Sequence, residues 1–193
     1  MSELLLASGS PRRAELLRQI GVQFVVAPVP IDESPLSGEC AQHYVLRMAV
    51  EKSQAGVRCF GSGAILTADT TVALDGEILG KPGSQDEARA LLARLSGRRH
   101  QVLSAVCLTA AGRSESRFSA TTVTFAALSE SVIERYLRCG ESMDKAGGYA
   151  IQGAAAAFVE AIEGSYSGVV GLPLQATCQL LDAFAIPYWS RLS

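Results

Sequence analysis

The chain has 193 residues, enough for one sizeable domain and short for two. Hydrophobic residues make up 48% and charged residues 19%, a balance that supports a packed core and excludes an intrinsically disordered chain. Seventeen Lys and Arg against 19 Asp and Glu give a net charge of -2, so the chain as a whole lacks the basic footprint of a duplex nucleic-acid binder.

The N-terminal stretch MSELLLASGSPRR places its apolar residues before its arginines, the reverse of a secretory signal, and no apolar run approaches the ~20 residues that span a bilayer. Cys40, Cys59, Cys107, Cys139 and Cys178 are odd in number and scattered, without a CxxC pair, which speaks against a disulfide framework or a zinc site. A cytoplasmic protein with reduced thiols and no membrane contact is the expectation. His43 and His100 have no evident partner for a Ser–His–Asp arrangement.

In chain order, strands and helices alternate. Leu4 to Ala7 reads as a short strand, and Ser10-Pro11 opens a helix with Leu16, Leu17 and Ile20 on one face. Phe24 to Val29 reads as a second strand, and Cys40 to Ala55 carries Val45, Met48 and Ala49 at helical spacing. Ala64 to Leu74 is a β-rich run that turns at Asp75-Gly76, a strong hairpin signal, into a return strand over Glu77 to Leu79. Ser84 caps a helix with Leu91, Leu92 and Leu95 on its face and Gly97 after its end. Strands follow at Gln101 to Thr109 and Arg117 to Phe125, then a helix from Ser129 through Leu137, closed by Gly140. A glycine-rich segment, Lys145 to Gly153, leads to a strand near Phe158 to Ile162, and Leu172-Pro173 opens a last helix ending near Phe184. Hairpin and crossover signals coexist, so the pattern predicts a single α/β domain over 1–193 with a mixed, twisted sheet.

Several segments combine residue types that point to chemistry. In SGSPRR, Ser8 to Arg13, a strand passes through small residues into a helix start whose first turn carries Arg12 and Arg13. Each cation there costs the helix roughly 0.3–1 kcal/mol, and a bound anion reverses that sign, so a phosphate clamp stands against two solvated arginines. Asp69 lies in AILTADTTVAL, where a buried carboxylate needs a cation, a metal or donors; the alternative is an outward-facing residue. With an ideal hairpin Lys81 would face Thr70, at the same end as Asp69, and a bulge or lost pairing near Gly80 would bring Lys81 to the carboxylate. A cation beside Asp69 would favour its charged form, able to bind a metal or activate water. GEILGKP lacks the spacing and the Ser/Thr of a Walker A loop.

Lys52 falls on the apolar face of its helix, where snorkelling at the core edge competes with a phosphate in an adjacent cleft. Glu33 and Asp32 in PIDESP are oxygen donors suited to Mg²⁺ or Mn²⁺, or else a solvated loop pair. In DKAGGYAIQG, Asp144 to Gly153, close backbone approach, Tyr149 against a base and Gln152 reading a base edge stand against a flexible surface loop.

Together these segments resemble the Maf family of nucleoside triphosphate pyrophosphatases over essentially the whole chain. The residues that carry the resemblance are LASGSPRR from Leu6, DES from Asp32, Glu51-Lys52, TADTTV from Thr67, GKP from Gly80, DKAGGYAIQG and GLPL from Gly171. The resemblance implies an elongated, two-lobed α/β fold like that of the inosine triphosphate pyrophosphatases, with a central cleft, as a homodimer. It implies cleavage of a nucleoside triphosphate to a monophosphate and pyrophosphate with a divalent cation (Mg²⁺, Mn²⁺ or Co²⁺). Carried over by position, Asp69 matches the general base, also placed with Glu33 at the metal. Ser8, Arg12, Arg13, Lys52 and Lys81 match the phosphate-binding and catalytic cleft residues, and Arg12, Thr70 and Gln152 the positions of substrate choice. Ala68-Asp69-Thr70 and Ile151-Gln152-Gly153 are similar to the branch that acts on dTTP and UTP in nucleotide house-cleaning. The competing readings are a 7-methyl-GTP pyrophosphatase and a nucleotide-binding regulator of cell division with little turnover.

Overall fold

The computed structural model describes residues 3–61 and 63–189. Within them the chain runs β1 (Leu4–Leu6), α1 (Pro11–Gln19), β2 (Phe24–Val26), α2 (Ala41–Phe60), β3 (Ala64–Leu74), β4 (Glu77–Leu79), α3 (Gln85–Leu95), β5 (Arg99–Ala110), β6 (Arg113–Phe125), α4 (Glu130–Leu137), β7 (Val159–Glu163), α5 (Tyr166–Val170) and α6 (Leu174–Ala183). The strands form one mixed sheet in the order β2-β1-β3-β5-β6-β7, with β4 also on β3. β1 is parallel to β2 and β3, and the remaining pairings are antiparallel.

Local signals explain most boundaries. Ser84 and Ser129 accept hydrogen bonds from the backbone N–H of Glu87 and Val132, the side-chain caps expected of them. The Asp75-Gly76 turn closes the β3–β4 hairpin with Leu74 opposite Glu77. Other boundaries differ from the sequence expectation. β2 stops at Val26, where Pro28 and Pro30 cannot donate to a ladder. β5 and β6 are longer than their propensity suggests and meet at Ala111-Gly112, both at positive φ (50° and 78°), a tight turn with alanine where Asn or Asp is usual. α5 is a five-residue helix without a sequence signature, capped by Ser165.

β3 organises the molecule. β1 pairs with it at Ala64 to Leu66 and β4 at Val72 to Leu74, both on the edge away from β5. Between these two short partners the edge from Thr67 to Thr71 has no strand beside it among the described residues. Side chains alternate along a strand. Ile65, Thr67, Asp69, Thr71 and Ala73 therefore face α2, whereas Leu66, Ala68, Thr70, Val72 and Leu74 face the opposite side.

That opposite side carries two apolar cores. Leu66 and Ala68 pack with α1, α6 and β1, while Val72 and Leu74 pack with α3, α4 and the Tyr149 segment. These cores correspond to the two expected lobes, and the cross-strand pair Thr70 and Ser104 is the polar seam between them. Val170 of α5 touches both. On the α2 side, Gly56 permits close packing: a Cβ there would stand 2.9 Å from Ile65 Cγ2. One helical turn earlier, that approach sets Lys52 over the middle of β3. No helix among the described residues is long and apolar enough to cross a membrane.

Candidate active site

The gap in the β3 edge opens into a cavity of about 390 Å³. All nine candidate residues line it: Ser8, Arg12, Arg13, Glu33, Lys52, Asp69, Thr70, Lys81 and Gln152.

A charged chain crosses its α2 side. Lys52 Nζ lies 2.6 Å from Asp69 Oδ1 and 2.6 Å from Glu33 Oε1, and Lys81 Nζ lies 3.5 Å from Glu33 Oε2. Lys52 and Asp69 are each 7% exposed, so the helical spacing of Lys52 reflects a buried ion pair and not a snorkelling lysine. Asp69 Oδ2 takes no hydrogen bond from protein among the described residues, and that oxygen is available to the cavity. Burial acts to raise the Glu33 carboxyl, but the hydrogen bond and charge of Lys52, followed by Lys81, outweigh it and hold the group below the ordinary carboxylate value.

The ideal hairpin register does not extend to Lys81. Pairing between β3 and β4 stops at Val72 opposite Leu79, so Lys81 does not sit across from Thr70 and its ammonium turns to Glu33. The glycine-rich segment comes to the same corner, with Gly147 N–H donating to Gly80 O at 3.1 Å. Gly147 has φ +71°, and a Cβ on it would stand 3.1 Å from Val72 Cγ2, so any other residue there would be strained in its backbone and would press on Val72.

On the other side, Arg13 Nε donates to Gly171 O at 2.8 Å, and its Nη1 donates to Ser8 Oγ at 3.1 Å. Desolvation is the leading influence on this guanidinium and lowers its pKa, although an arginine remains cationic throughout the physiological range. Ser10 occupies the N-cap of α1, but its hydroxyl does not cap the helix, and the first turn holds no acidic residue. Ser8 Oγ instead accepts from Ser10 N–H at 3.2 Å. The helix start therefore keeps donors and cations together, a composition suited to phosphate. Arg12 leans to the rim, 3.8 Å from Asp144, and Gln152 is exposed, without a polar contact to the other candidates among the described residues.

Three contributors escaped the sequence reading. Tyr44 OH donates to Glu33 O at 2.9 Å; burial first, then the charges of Asp69 and Glu33, push this phenol up to about 12, so it stays a neutral donor. Arg47 grips Glu39 at 2.6 Å and donates to Ser34 O at 3.1 Å, fastening the loop that carries Glu33 to α2. Ser104 joins Thr70 at 2.8 Å. Tyr149 lines the cavity, but its hydroxyl is 2.8 Å from His100 Nε2 and its ring packs edge-on against Phe125, so it braces the second core. Asp32 is exposed and accepts from Ser34 N–H in its own turn.

Among the described residues no group of three or more His, Cys, Asp and Glu gathers as a metal cage. Glu33 and Asp69 are two carboxylates beside a polyphosphate-sized cavity. That donor set fits a divalent cation of the Mg²⁺ type, which is commonly held by one or two carboxylates, substrate phosphates and water.

A family model described as "Maf-like protein" matches residues 3–184. The chain is similar to a protein of Alcanivorax borkumensis named "dTTP/UTP pyrophosphatase", at 55% identity over 96% of this chain and 97% of that one. Proteins of the same name from Methylobacillus flagellatus (52% identity; 94% of this chain, 92% of that one) and Aromatoleum aromaticum (47%; 96% and 97%) are similar over the same extent. The chain belongs to the Maf family.

Proposed function

We propose that this Maf-family chain is a nucleoside triphosphate pyrophosphatase that cleaves dTTP and UTP to the nucleoside monophosphate and pyrophosphate. The names of its relatives support the reaction and the substrates. The observation that carries the reading is the convergence of the nine residues on one cavity, with four cations, a hydroxyl and a helix start on its walls beside a buried carboxylate.

In this reading Ser8, Arg12, Arg13, Lys52 and Lys81 hold the triphosphate and offset the charge that builds on the phosphoryl oxygens. Asp69, through Oδ2, takes a proton from the water that attacks the α-phosphorus. The bond from that phosphorus to the bridging oxygen breaks, and pyrophosphate leaves with the electron pair. Lys52 keeps Oδ1 occupied, so the free oxygen faces the reaction. Glu33, beside Asp69, would help hold a divalent cation, whose chemistry when bound is to neutralise developing charge on the phosphates. Gln152 and Thr70 face the base, and Arg12 reaches in from the rim.

We also infer a homodimer in the cytoplasm, without a nucleic-acid partner; the family resemblance supports the first and the charge balance the last. The test is incubation with UTP, dTTP, CTP and 7-methyl-GTP with Mg²⁺, Mn²⁺ or Co²⁺ and identification of the products. Monophosphate plus pyrophosphate from UTP and dTTP is the expected result. Preferential cleavage of 7-methyl-GTP, or tight nucleotide binding without turnover, overturns it.

A further inference from the structure

We propose that Thr70 meets the substrate as a hydrogen-bond acceptor only, that the group it reads is the imide N3–H of a uracil or thymine ring, and that Ser104 is the positioning residue that fixes this polarity. The proposal deepens the pyrophosphatase reading and rests on it.

The argument is a count of protons. A threonine hydroxyl has one proton to give and two lone pairs to receive. Thr70 Oγ1 lies 2.8 Å from Oγ of Ser104, its register partner on β5, and 3.3 Å from Gly171 O. Ser104 is 1% exposed, and its hydroxyl donates to Gly168 O at 2.7 Å, an atom that can only accept. The single proton of Ser104 is thereby used, so Ser104 receives the proton of Thr70. The other acceptor within reach, Gly171 O, is farther and already takes Arg13 Nε–H at 2.8 Å. The Thr70 proton therefore stays turned to Ser104, because turning it outward gives up that hydrogen bond, and the longer one to Gly171 O, shared with Arg13, holds the proton less firmly.

What the Thr70 hydroxyl has left to offer a ligand is therefore a lone pair, which no protein donor meets among the described residues, and Thr70 is one of the residues that line the cavity. A lone pair repels phosphate oxygens, so Thr70 does not hold the triphosphate. It also lies on the face of β3 opposite Lys52 and Asp69, away from the charged chain. On the substrate its partner must be a donor, and dTTP and UTP share two: the base N3–H and the 3′-hydroxyl. The 3′-hydroxyl is common to nucleotides of every base and selects none. N3–H separates uracil and thymine from cytosine, whose N3 would set a lone pair against the one on Thr70.

The test compares kcat/KM for UTP, N3-methyl-UTP and 3′-deoxy-UTP with the wild-type protein, Thr70→Val and Ser104→Ala. N3-methylation is expected to cost the wild type about tenfold more than it costs the nearly isosteric Thr70→Val. The cost of removing the 3′-hydroxyl should be the same in both. Ser104→Ala leaves Thr70 only the longer bond to Gly171 O, so its N3-methylation cost should fall between them. Equal N3-methylation costs in wild type and Thr70→Val overturn the proposal, as does a 3′-deoxy cost that collapses in Thr70→Val. An unchanged N3-methylation cost in Ser104→Ala overturns the part given to Ser104. A wild-type protein that cleaves N3-methyl-UTP as fast as UTP overturns it without any variant, and one that cleaves no UTP removes the pyrophosphatase reading itself.

Discussion

Lys52 and Asp69 form a buried ion pair, with Nζ 2.6 Å from Oδ1 and both side chains nearly closed to solvent. Removing one member of such a pair strands the other charge, at a cost of about 3–5 kcal/mol. Lys52→Met should lower stability by an amount of that order in urea denaturation. Adding Asp69→Asn to Lys52→Met should recover most of the loss. If the double variant is less stable than Lys52→Met, the pair is not the source of the effect.

Asp69→Asn alone keeps the side-chain volume and leaves Lys52 its contact with Glu33. Without the proton acceptor, pyrophosphate release should fall about 10²–10⁴-fold while the variant, with Lys52 still held by Glu33, keeps a cooperative unfolding transition. A rate near wild type would take the general-base role away from Asp69.

Among the described residues Arg47 has no polar contact with Lys52 or Asp69; it pairs with Glu39 and Glu51, donates to Ser34 O and lies over the Tyr44 ring, at the root of the Glu33 loop. Arg47→Ala should reduce kcat/KM about tenfold by releasing that loop, a loss comparable to that of a charged hydrogen bond. Because the effect passes through Glu33, Arg47→Ala combined with Glu33→Gln should be no slower than Glu33→Gln alone. Full additivity of the two losses would show that Arg47 acts elsewhere.

Burial pushes the imidazole of His100 down to about 4, against a weaker opposing influence from the Arg98 backbone, and among the described residues its buried Nδ1 has no well-aligned partner. The unfolded chain, with an ordinary histidine near 6.5, binds a proton at a pH where the folded protein still refuses it. This contribution to stability is whole above about pH 6.5 and is lost as pH falls towards about 4, a change on the order of 3 kcal/mol. His100→Gln should flatten the fall in denaturation midpoint over that window. A slope identical to wild type would assign the acid sensitivity to other groups.

Much of this arrangement is legible in the sequence where a local rule acts alone. Ser84 and Ser129 announce their helices, Asp75-Gly76 fixes the hairpin register, and the two arginines in the first turn of α1 do line the cavity. The illegible parts depend on partners far along the chain. Lys52 has the same helical spacing whether it snorkels or pairs, and only the packing of α2 on β3 at Gly56 brings it to Asp69. Ser104 sits in an apolar run and gains meaning from Thr70, set beside it by strand register. The five residues of α5 show no usable periodicity, yet the chain there supplies the carbonyls of Gly168 and Gly171 to the site. For Lys81 the sequence leaves two courses open, an ideal hairpin opposite Thr70 or a lost pairing near Gly80; the pairing stops at Leu79, and the ammonium goes to Glu33, a partner no local rule names.

The alternation of β3 has a consequence for how this protein tolerates change. Asp69 and Thr70 are adjacent in the chain, and in the proposed scheme one does the cutting while the other inspects the letter. The strand thus works like a text with a reading frame: one residue inserted between Leu66 and Asp69 would exchange the two sides at a stroke. Loops of this protein can lengthen or shorten, but this strand can vary only in steps of two.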